Sequence, residues 1–294
     1  MHADNRLTLL DGGMGQELRK RSQRPASPLW SAQVMMDEPE LVVAAHRAFV
    51  AAGADIITTN DYVVTPQRLA RDGDPQWFTP LHKAALQAAQ AVRTESERPI
   101  RIAGCLPPLV ASYHADQVPD DATCLRDYAR LVDAKADGVD LLIAETMSLT
   151  REAVAATRAG KQSGLPMWVA LTVDDHNGGQ LRSGEYLADA AQAVVDAGAD
   201  AVLINCSAPE AVTTAMPILA RLGVPFGGYA NGFEAAAELK PGGTVDGLKA
   251  RESMTPERYA DHVQHWIDAG ATLIGGCCEI GPQHINALYR RFVE

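Results

Sequence analysis

The sequence predicts a single (β/α)8 barrel, a TIM barrel, over residues 1–294, and two observations support this prediction. Short apolar runs alternate with Ala-rich amphipathic stretches eight times along the chain, as successive βα units do. The connections that leave several of these runs are long and polar, whereas the connections that enter them are short. In a TIM barrel the loops that leave the strands build the active-site face. A doubly wound open sheet is the alternative that such alternation also allows.

Four of the predicted strands follow a turn of small residues, such as Ala52-Gly53-Ala54-Asp55, in which glycine supplies the left-handed end of a helix. These strands are Ile56–Thr59, Leu141–Ala144, Ala201–Asn205 and Leu273–Gly276. The same rhythm predicts four more strands, at Leu7–Asp11, Ile100–Gly104, Met167–Thr172 and Val224–Ala230. Apolar runs of this length are typical of buried parallel strands. Segments such as Glu40–Ala52, Leu81–Glu95 and Leu187–Ala197 are predicted to be helices between them.

The longest strand-exit loops are predicted at residues 12–37, 106–122, 173–186 and 231–254. Long loops in compact domains are usually functional or mobile, so a working site is expected at the carboxyl ends of the strands. The glycine-rich stretch 239–243 lies inside the last of these loops, where we expect it to form a lid or a wall of the pocket.

Composition limits the class of protein. The chain has 294 residues, 47% of them hydrophobic, which is enough to bury a sizeable core, and its formal net charge is −11. No cluster of basic residues is visible, which argues against nucleic acid or an anionic membrane as a partner. No apolar run approaches the ~20 residues of a membrane span, and residues 1–6 lack the apolar stretch of a secretory signal. A cytoplasmic location and small-molecule partners are expected, while homo-oligomer formation is left open.

The five cysteines are an odd number and make a poor disulfide framework, so metal binding or catalysis is the more natural use. Cys206 follows one predicted strand, and the adjacent pair Cys277 and Cys278 follows another. In a barrel both strand ends face the same mouth. Three thiolates favour Zn²⁺ over harder cations and leave one of four tetrahedral positions open, as in a catalytic site.

A simpler interpretation of these cysteines is that Cys206 is a small buried hydrophobe and that the adjacent pair is incidental. Cys105 also lies at a strand end and is a competing ligand, whereas Cys124 falls in a helical stretch and is expected to pack there. His284 begins the last helix, where it supports either the metal ligands or the helix end.

A set of motifs at the strand ends resembles the homocysteine S-methyltransferase family over essentially the whole chain. The strongest element is Gly275-Gly276-Cys277-Cys278 combined with the distant Asn205-Cys206-Ser207. The other motifs, in chain order, are Asp11-Gly12-Gly13-Met14-Gly15, Thr58-Thr59-Asn60-Asp61-Tyr62, Glu145-Thr146-Met147, Ser183-Gly184-Glu185 and Gly281-Pro282-Gln283-His284-Ile285.

The resemblance implies a zinc-dependent TIM-barrel enzyme that methylates homocysteine to give methionine. It implies that Cys206, Cys277 and Cys278 hold the metal. It also implies that Asp11 and Glu145 bind the amino group of homocysteine and that the backbone of Gly12 and Gly13 receives its carboxylate. In relatives that use betaine, aromatic residues near the substrate match Tyr62 and Trp30.

Two residues depart from the family pattern, Gln16 where threonine is frequent and Glu279 where arginine is frequent. The third strand exit, 104–108, also differs from that of many relatives. The methyl donor therefore stays open among S-methylmethionine, S-adenosylmethionine and betaine. The alternatives to homocysteine methylation are a zinc-thiolate methyltransferase or demethylase with another acceptor or methylated compound, and a zinc-binding protein without turnover.

Overall fold

The computed structural model describes residues 7–25, 27–234 and 249–294, and these residues form a closed parallel barrel. The strands are β1 (Thr8–Leu9), β2 (Ile56–Thr58), β3 (Arg101–Leu106), β4 (Leu141–Met147), β5 (Met167–Leu171), β6 (Ala201–Asn205), β7 (Phe226–Tyr229) and β8 (Leu273–Ile274). Their order in the sheet is β1-β8-β7-β6-β5-β4-β3-β2. The ring closes where Leu10 pairs with Ile56 in parallel, so the predicted TIM barrel is confirmed and the open sheet is excluded.

Helices surround the barrel on the outside. In the described parts of the chain they are α1 (Met14–Arg21), α2 (Trp30–Asp37), α3 (Pro39–Ala51), α4 (Pro66–Asp72), α5 (Phe78–Glu95), α6 (Asp121–Asp133), α7 (Thr150–Lys161), α8 (Leu187–Asp196), α9 (Pro209–Leu219), α10 (Pro256–Asp268) and α11 (Pro282–Phe292). None of these helices is both long enough and apolar enough to cross a membrane.

The structure differs from the sequence-based prediction mainly in the first exit loop. Residues 12–37 were expected to be irregular, but they contain the short helices α1 and α2. Each of these helices has only eight residues, which is too short to show a clear helical period in the sequence. The period is further hidden by the glycines at the start of the segment and by Pro25 and Pro28 in its middle. The stretch predicted as a lid, 239–243, lies outside the described residues.

The barrel interior is filled by apolar side chains from alternate positions of the strands, so it is a packed core and not a pore. It contains the buried side chains Leu10, Ile56, Ala103, Leu141, Ile143, Trp168, Ala170, Ala201, Leu203, Tyr229 and Leu273. Cys277 packs against the same cluster from the carboxyl end of the barrel. The floor of the mouth is therefore apolar and closely packed, which suits a site that must hold side chains at fixed separations.

A buried ion pair lies beside this mouth. Lys135, between α6 and β4, places its Nζ 2.8 Å from Asp61 Oδ2, and His82 Nδ1 is 2.7 Å from the same oxygen. Both Lys135 and Asp61 side chains are inaccessible to solvent. Lys135 also donates to the carbonyl oxygen of Cys105. The pair thus fixes the end of β3 against the loop after β2, and the positive charge and the His82 hydrogen bond hold the pKa of Asp61 below its usual value despite burial.

His46, on the inner face of α3, is fully buried, and neither ring nitrogen has a hydrogen-bond partner within the described residues. Burial alone lowers its pKa from 6.5 to about 4. The unfolded chain therefore takes up a proton at a higher pH than the folded protein does. The contribution of neutral His46 to the free energy of unfolding is therefore fully present above pH 6.5 and is lost as the pH falls from there towards 4.

We predict that His46→Leu flattens this acid-side loss of stability. The wild-type free energy of unfolding should contain a His46 contribution of about 3 kcal/mol that disappears between pH 7 and pH 4, since one pKa unit corresponds to ~1.4 kcal/mol. Urea unfolding at several pH values measures it, and His265→Gln, on the exposed face of α10, is the control. The prediction would be contradicted if the free energy of unfolding of His46→Leu depended on pH as steeply as that of the wild type.

Candidate metal and substrate site

Three cysteines from two strand ends meet at the carboxyl mouth of the barrel. The Sγ atoms of Cys206, Cys277 and Cys278 all lie within 4.8 Å of one another. The Sγ separation is 2.6 Å between Cys206 and Cys277 and 3.9 Å between Cys277 and Cys278. All five cysteines of the chain are free thiols, and the mouth brings together only these three among the described residues.

The backbone is shaped to deliver these side chains. Cys206 adopts a left-handed conformation with φ of +49°, which an L residue rarely adopts, and this turns its side chain out of β6. On the other side, Gly13 allows a close approach. A Cβ atom there would lie 2.5 Å from the carbonyl oxygen of Cys277 and 3.1 Å from Cα of Cys278. Gly276 is equally confined, since its Cβ would meet Ile280 Cγ2 at 2.2 Å.

The three thiols fit a tetrahedral zinc ion. Zinc–sulfur bonds of about 2.3 Å at tetrahedral angles put neighbouring sulfurs about 3.8 Å apart, close to the separation of Cys277 and Cys278. Cys206 would move away from Cys277 by roughly 1 Å to match. Hydrogen bonds from Cys277 and Cys278 already hold the pKa of Cys206 well below its usual value, so the site favours a thiolate. Three ligands leave one coordination position for a further group.

Two carboxyl groups line the same cavity, Asp11, which is buried, and Glu145, which is partly buried. Asp11 is only 6% exposed, and its Oδ2 accepts a hydrogen bond of 2.8 Å from the Thr58 amide. Burial raises the pKa of Asp11 to about 8; the Thr58 hydrogen bond opposes this rise and the charge of Glu145 adds to it. Burial likewise raises the pKa of Glu145 to about 7, against hydrogen bonds from the Cys105 thiol (3.1 Å) and the Tyr229 hydroxyl (2.9 Å).

The first turn of α1 faces the cavity between these groups. Gly12, Gly13, Met14 and Gly15 all line the cavity, and α1 begins after Gly13 without a side-chain cap. Uncapped amides at a helix start attract an anion. The Gly13 amide is already used, since it donates to the Ile280 carbonyl at 2.9 Å. An incoming carboxylate would therefore meet the other amides of this turn.

Aromatic rings form a further wall of the cavity. Trp30 and Tyr62 pack edge to face with their ring centroids 6.4 Å apart, and the Tyr62 hydroxyl lies 2.8 Å from Ser112 Oγ. Trp30 and Tyr113 also pack against the cluster of Cys206, Cys278 and Phe233. With the thiols and the carboxyl groups, these rings enclose a cavity of about 890 Å³, including the part that opens to solvent.

Comparison with known proteins identifies the family. The family model for homocysteine S-methyltransferase matches residues 8–292. The chain belongs to the homocysteine S-methyltransferase family. The homocysteine S-methyltransferase of Escherichia coli is 31% identical, with 97% of this chain and 95% of the relative covered. The selenocysteine methyltransferase of Astragalus bisulcatus is 26% identical, with 99% and 94% covered.

A solved structure shares the fold closely. The metallated form of the homocysteine methyltransferase MmuM from Escherichia coli superimposes with a TM-score of 0.81 at 27% identity, covering 97% of this chain and 96% of that chain. The described residues therefore share their barrel fold with this relative.

Within the family, the two departures seen in the sequence have different environments. Gln16 is buried, lines the cavity beside Cys278, and finds no hydrogen-bond partner for either amide atom among the described residues. Glu279 has a left-handed φ of +64° and its Oε2 lies 3.2 Å from Lys20 Nζ at the surface. Only Gln16 therefore stands where it can contact a substrate.

Three other residues that the sequence raised as candidates have contacts of their own. The Cys105 thiol donates a hydrogen bond to Glu145 and is not part of the group of three thiols. Cys124 lies on α6 and packs into the hydrophobic core, as expected. His284 accepts from the Gly281 amide and pairs with the Met254 carbonyl, so it serves the start of α11.

Sequence reasoning missed three residues of the site: Tyr113, Phe233 and Tyr229. The exit loops that contain Tyr113 and Phe233 were expected at the mouth, but no periodic pattern indicates which of their side chains turns inward.

We predict that Gly13→Ala weakens metal binding at the three cysteines. The new methyl group would overlap the backbone of Cys277, so the cysteine pair must shift and zinc affinity should fall by about tenfold or more, as when support of a ligand is lost. Competition with a chromophoric chelator measures the affinity. Gly179→Ala is the matched control, since its nearest neighbour would be 3.4 Å away. Equal zinc affinity in the two variants would contradict the prediction.

Proposed function

We propose that this protein transfers a methyl group from a sulfonium or ammonium donor to the thiolate of homocysteine, giving methionine. The single observation that supports this most strongly is that three cysteine sulfurs meet in a cavity that is also lined by the carboxyl groups of Asp11 and Glu145. A site with thiolates and carboxylates together needs cationic partners, and a divalent metal and a substrate ammonium group supply them.

Cys206, Cys277 and Cys278 are proposed to hold zinc. When bound, zinc would lower the pKa of the acceptor thiol and keep its sulfur as the thiolate, which is the nucleophilic form. The three cysteines would fix the direction from which that sulfur faces the donor. Displacement at the methyl carbon is in line, so fixed orientation of both reactants lowers the barrier.

Asp11 and Glu145 are proposed to bind the ammonium group of homocysteine, because charge-assisted hydrogen bonds are strongest where water is excluded. Thr58, Cys105 and Tyr229 hold the two carboxyl groups in place through hydrogen bonds. The carboxylate of the same substrate would lie at the first turn of α1, where the amides around Gly13, though not the engaged Gly13 amide itself, attract an anion.

The methyl donor is proposed to lie against the aromatic wall. Trp30, Tyr62 and Tyr113 line the cavity beside the cysteines, and the face of an aromatic ring attracts a cation. S-methylmethionine, S-adenosylmethionine and betaine all present a methyl group on a positively charged sulfur or nitrogen. A neutral donor would gain no such attraction.

A different acceptor is the second candidate, favoured by the relative that is named a selenocysteine methyltransferase. A zinc-binding protein without turnover is less favoured. It would need a fourth protein ligand, and the nearest candidates, Cys105 and His284, are engaged elsewhere. A cytoplasmic location is proposed because a reducing compartment keeps thiol ligands available for a metal.

We predict about one zinc per chain in the reduced protein, and methionine formation from homocysteine with one of the three donors. Each donor is supplied in turn, zinc is measured by elemental analysis, and methionine is quantified by mass spectrometry. Cys277→Ala should lose both zinc and product, because a two-thiolate site binds the metal weakly.

Cys124→Ala is the matched control, since Cys124 is a buried cysteine of α6 away from the mouth, and it should keep both zinc and activity. Zinc without methionine from any donor would favour another acceptor, and selenocysteine would be assayed next. Absence of zinc from freshly prepared, reduced protein would contradict the proposed metal site.

We also predict that the affinity for methionine, the product, falls as the pH is lowered from 8 to 6. Asp11 and Glu145 must be ionised to bind the ammonium group, and their pKa values of about 8 and 7 mean that both become protonated over this range. The loss should approach tenfold per pH unit for each group. Calorimetric titration with methionine avoids the titration of a substrate thiol.

Glu145→Gln should bind methionine more weakly and with a shallower pH dependence. Glu210→Gln, which removes an exposed carboxylate paired with Arg251, is the control and should match the wild type. A pH dependence unchanged by Glu145→Gln would remove Glu145 from the ammonium site.

A further inference from the structure

The carbonyl oxygen of Cys206 is held by two side chains of the preceding βα unit. Arg182 Nη2 donates to it at 3.1 Å, and Thr172 Oγ1 donates to it at 3.2 Å. Both donors belong to the end of β5 and its exit loop. Cys206 is the residue whose backbone departs from the extended path of β6 into a left-handed conformation, so these bonds act on a strained peptide.

The guanidinium of Arg182 is itself fixed on several sides. Its Nε donates to Thr172 Oγ1 at 3.0 Å, and its Nη2 also bonds Asp175 Oδ1 at 3.0 Å. Asp175 in turn accepts the amide of Ala208, just before α9, at 2.7 Å. The Arg182 side chain is 8% exposed. The cation is therefore buried, paired with Asp175 and hydrogen-bonded to the Cys206 carbonyl, and Asp175 links it to the amide of Ala208.

The flat face of the same guanidinium covers an aromatic residue of the cavity. Arg182 Cζ lies 4.6 Å from the centroid of the Tyr113 ring. Tyr113 lines the cavity and packs against the cluster of Cys206, Phe233 and Cys278. One side chain thus contacts the backbone of a cysteine and the ring beside it.

We propose that Arg182 is a positioning residue that fixes the Cys206 backbone, and with it the direction of the Cys206 sulfur towards Cys277 and Cys278. The proposal rests on the metal site proposed above. Arginine suits the task because its planar fork bonds several acceptors at set angles while its face stacks on an aromatic ring, and lysine offers only one mobile point charge. Without this support the Cys206 peptide is free to return towards the extended path of β6.

The test compares Arg182→Gln and Arg182→Lys with the wild type by two measurements that do not depend on turnover. Zinc affinity is measured by competition with a chromophoric chelator, and the geometry of the site is read from the visible absorption bands of the cobalt-substituted protein. We expect Arg182→Gln to bind zinc about 10- to 100-fold more weakly, as is typical when a group that orients a metal ligand is removed, with shifted cobalt bands. Arg182→Lys should lie between Arg182→Gln and the wild type.

Two further variants separate positioning from general loss of stability. Arg93→Gln breaks an ion pair with Asp140 before β4, at the opposite end of the barrel, and should leave zinc affinity and cobalt bands unchanged. Thr172→Val removes the other donor to the Cys206 carbonyl and should weaken zinc binding in the same direction as Arg182→Gln. Thr172→Val and Arg182→Lys keep the test decisive if Arg182→Gln does not fold.

Wild-type zinc affinity and wild-type cobalt bands in Arg182→Lys and Thr172→Val would overturn the proposal and leave the metal site itself intact. Absence of zinc from the wild-type protein would overturn both this inference and the metal assignment. Methionine formation, assayed separately, distinguishes a failure of the positioning role from a failure of the proposed reaction.

Discussion

The closure of the barrel by β1 is the constraint on which the site depends. This strand has only two residues, yet the backbone that follows it bonds both neighbours: the Asp11 amide donates to Ile56 at 3.0 Å, and the Asp11 carbonyl accepts from Gly276 at 2.9 Å. The second bond holds Gly276, the residue before the cysteine pair, beside Asp11. Closure therefore sets the Asp11 carboxyl, the first turn of α1 and the β8 cysteines side by side, with Cys206 two strands away.

The electrostatic character of the mouth follows from this crowding. Burial raises the pKa of both Asp11 and Glu145, and the charge of Glu145 raises the pKa of Asp11 further. The only buried lysine on the adjacent wall, within the described chain, is Lys135, which is already paired with Asp61. Arg182, which bonds the Cys206 carbonyl, is likewise paired, with Asp175. Within the described residues, the three thiols, Asp11 and Glu145 thus form no ion pair with a cationic side chain. Ligands that supply positive charge should bind there most strongly, since burying an unpaired charge is costly.

The sequence predicted the parts of this arrangement that follow from strand order. Residues that end parallel strands of a barrel share one mouth, so Asp11, Glu145 and the three cysteines could be placed together before any coordinates were known. The positions of the Tyr113 and Arg182 side chains could not be predicted in this way. They lie in exit loops, where the direction of each side chain depends on tertiary hydrogen bonds between loops distant in sequence. The short helices α1 and α2 were missed for a related reason, since eight residues show too little of a helical period.

Backbone strain is concentrated where the chemistry is expected. Of the five non-glycine residues with positive φ in the described chain, Trp30, Tyr113 and Cys206 line the cavity, as does Thr146 at the end of β4. Such conformations cost of order 1–3 kcal/mol each and persist only where surrounding contacts hold them. Asn205 holds the Thr146 amide at 2.8 Å, and Arg182 holds the carbonyl of the next residue, Cys206. Asn205 at the end of β6 thus stabilises strained backbone at the end of β4, and Arg182 of the β5 exit loop stabilises the strained Cys206 next to it. The β6 exit is therefore the part of the scaffold where loss of a single supporting side chain should disturb the metal ligands most.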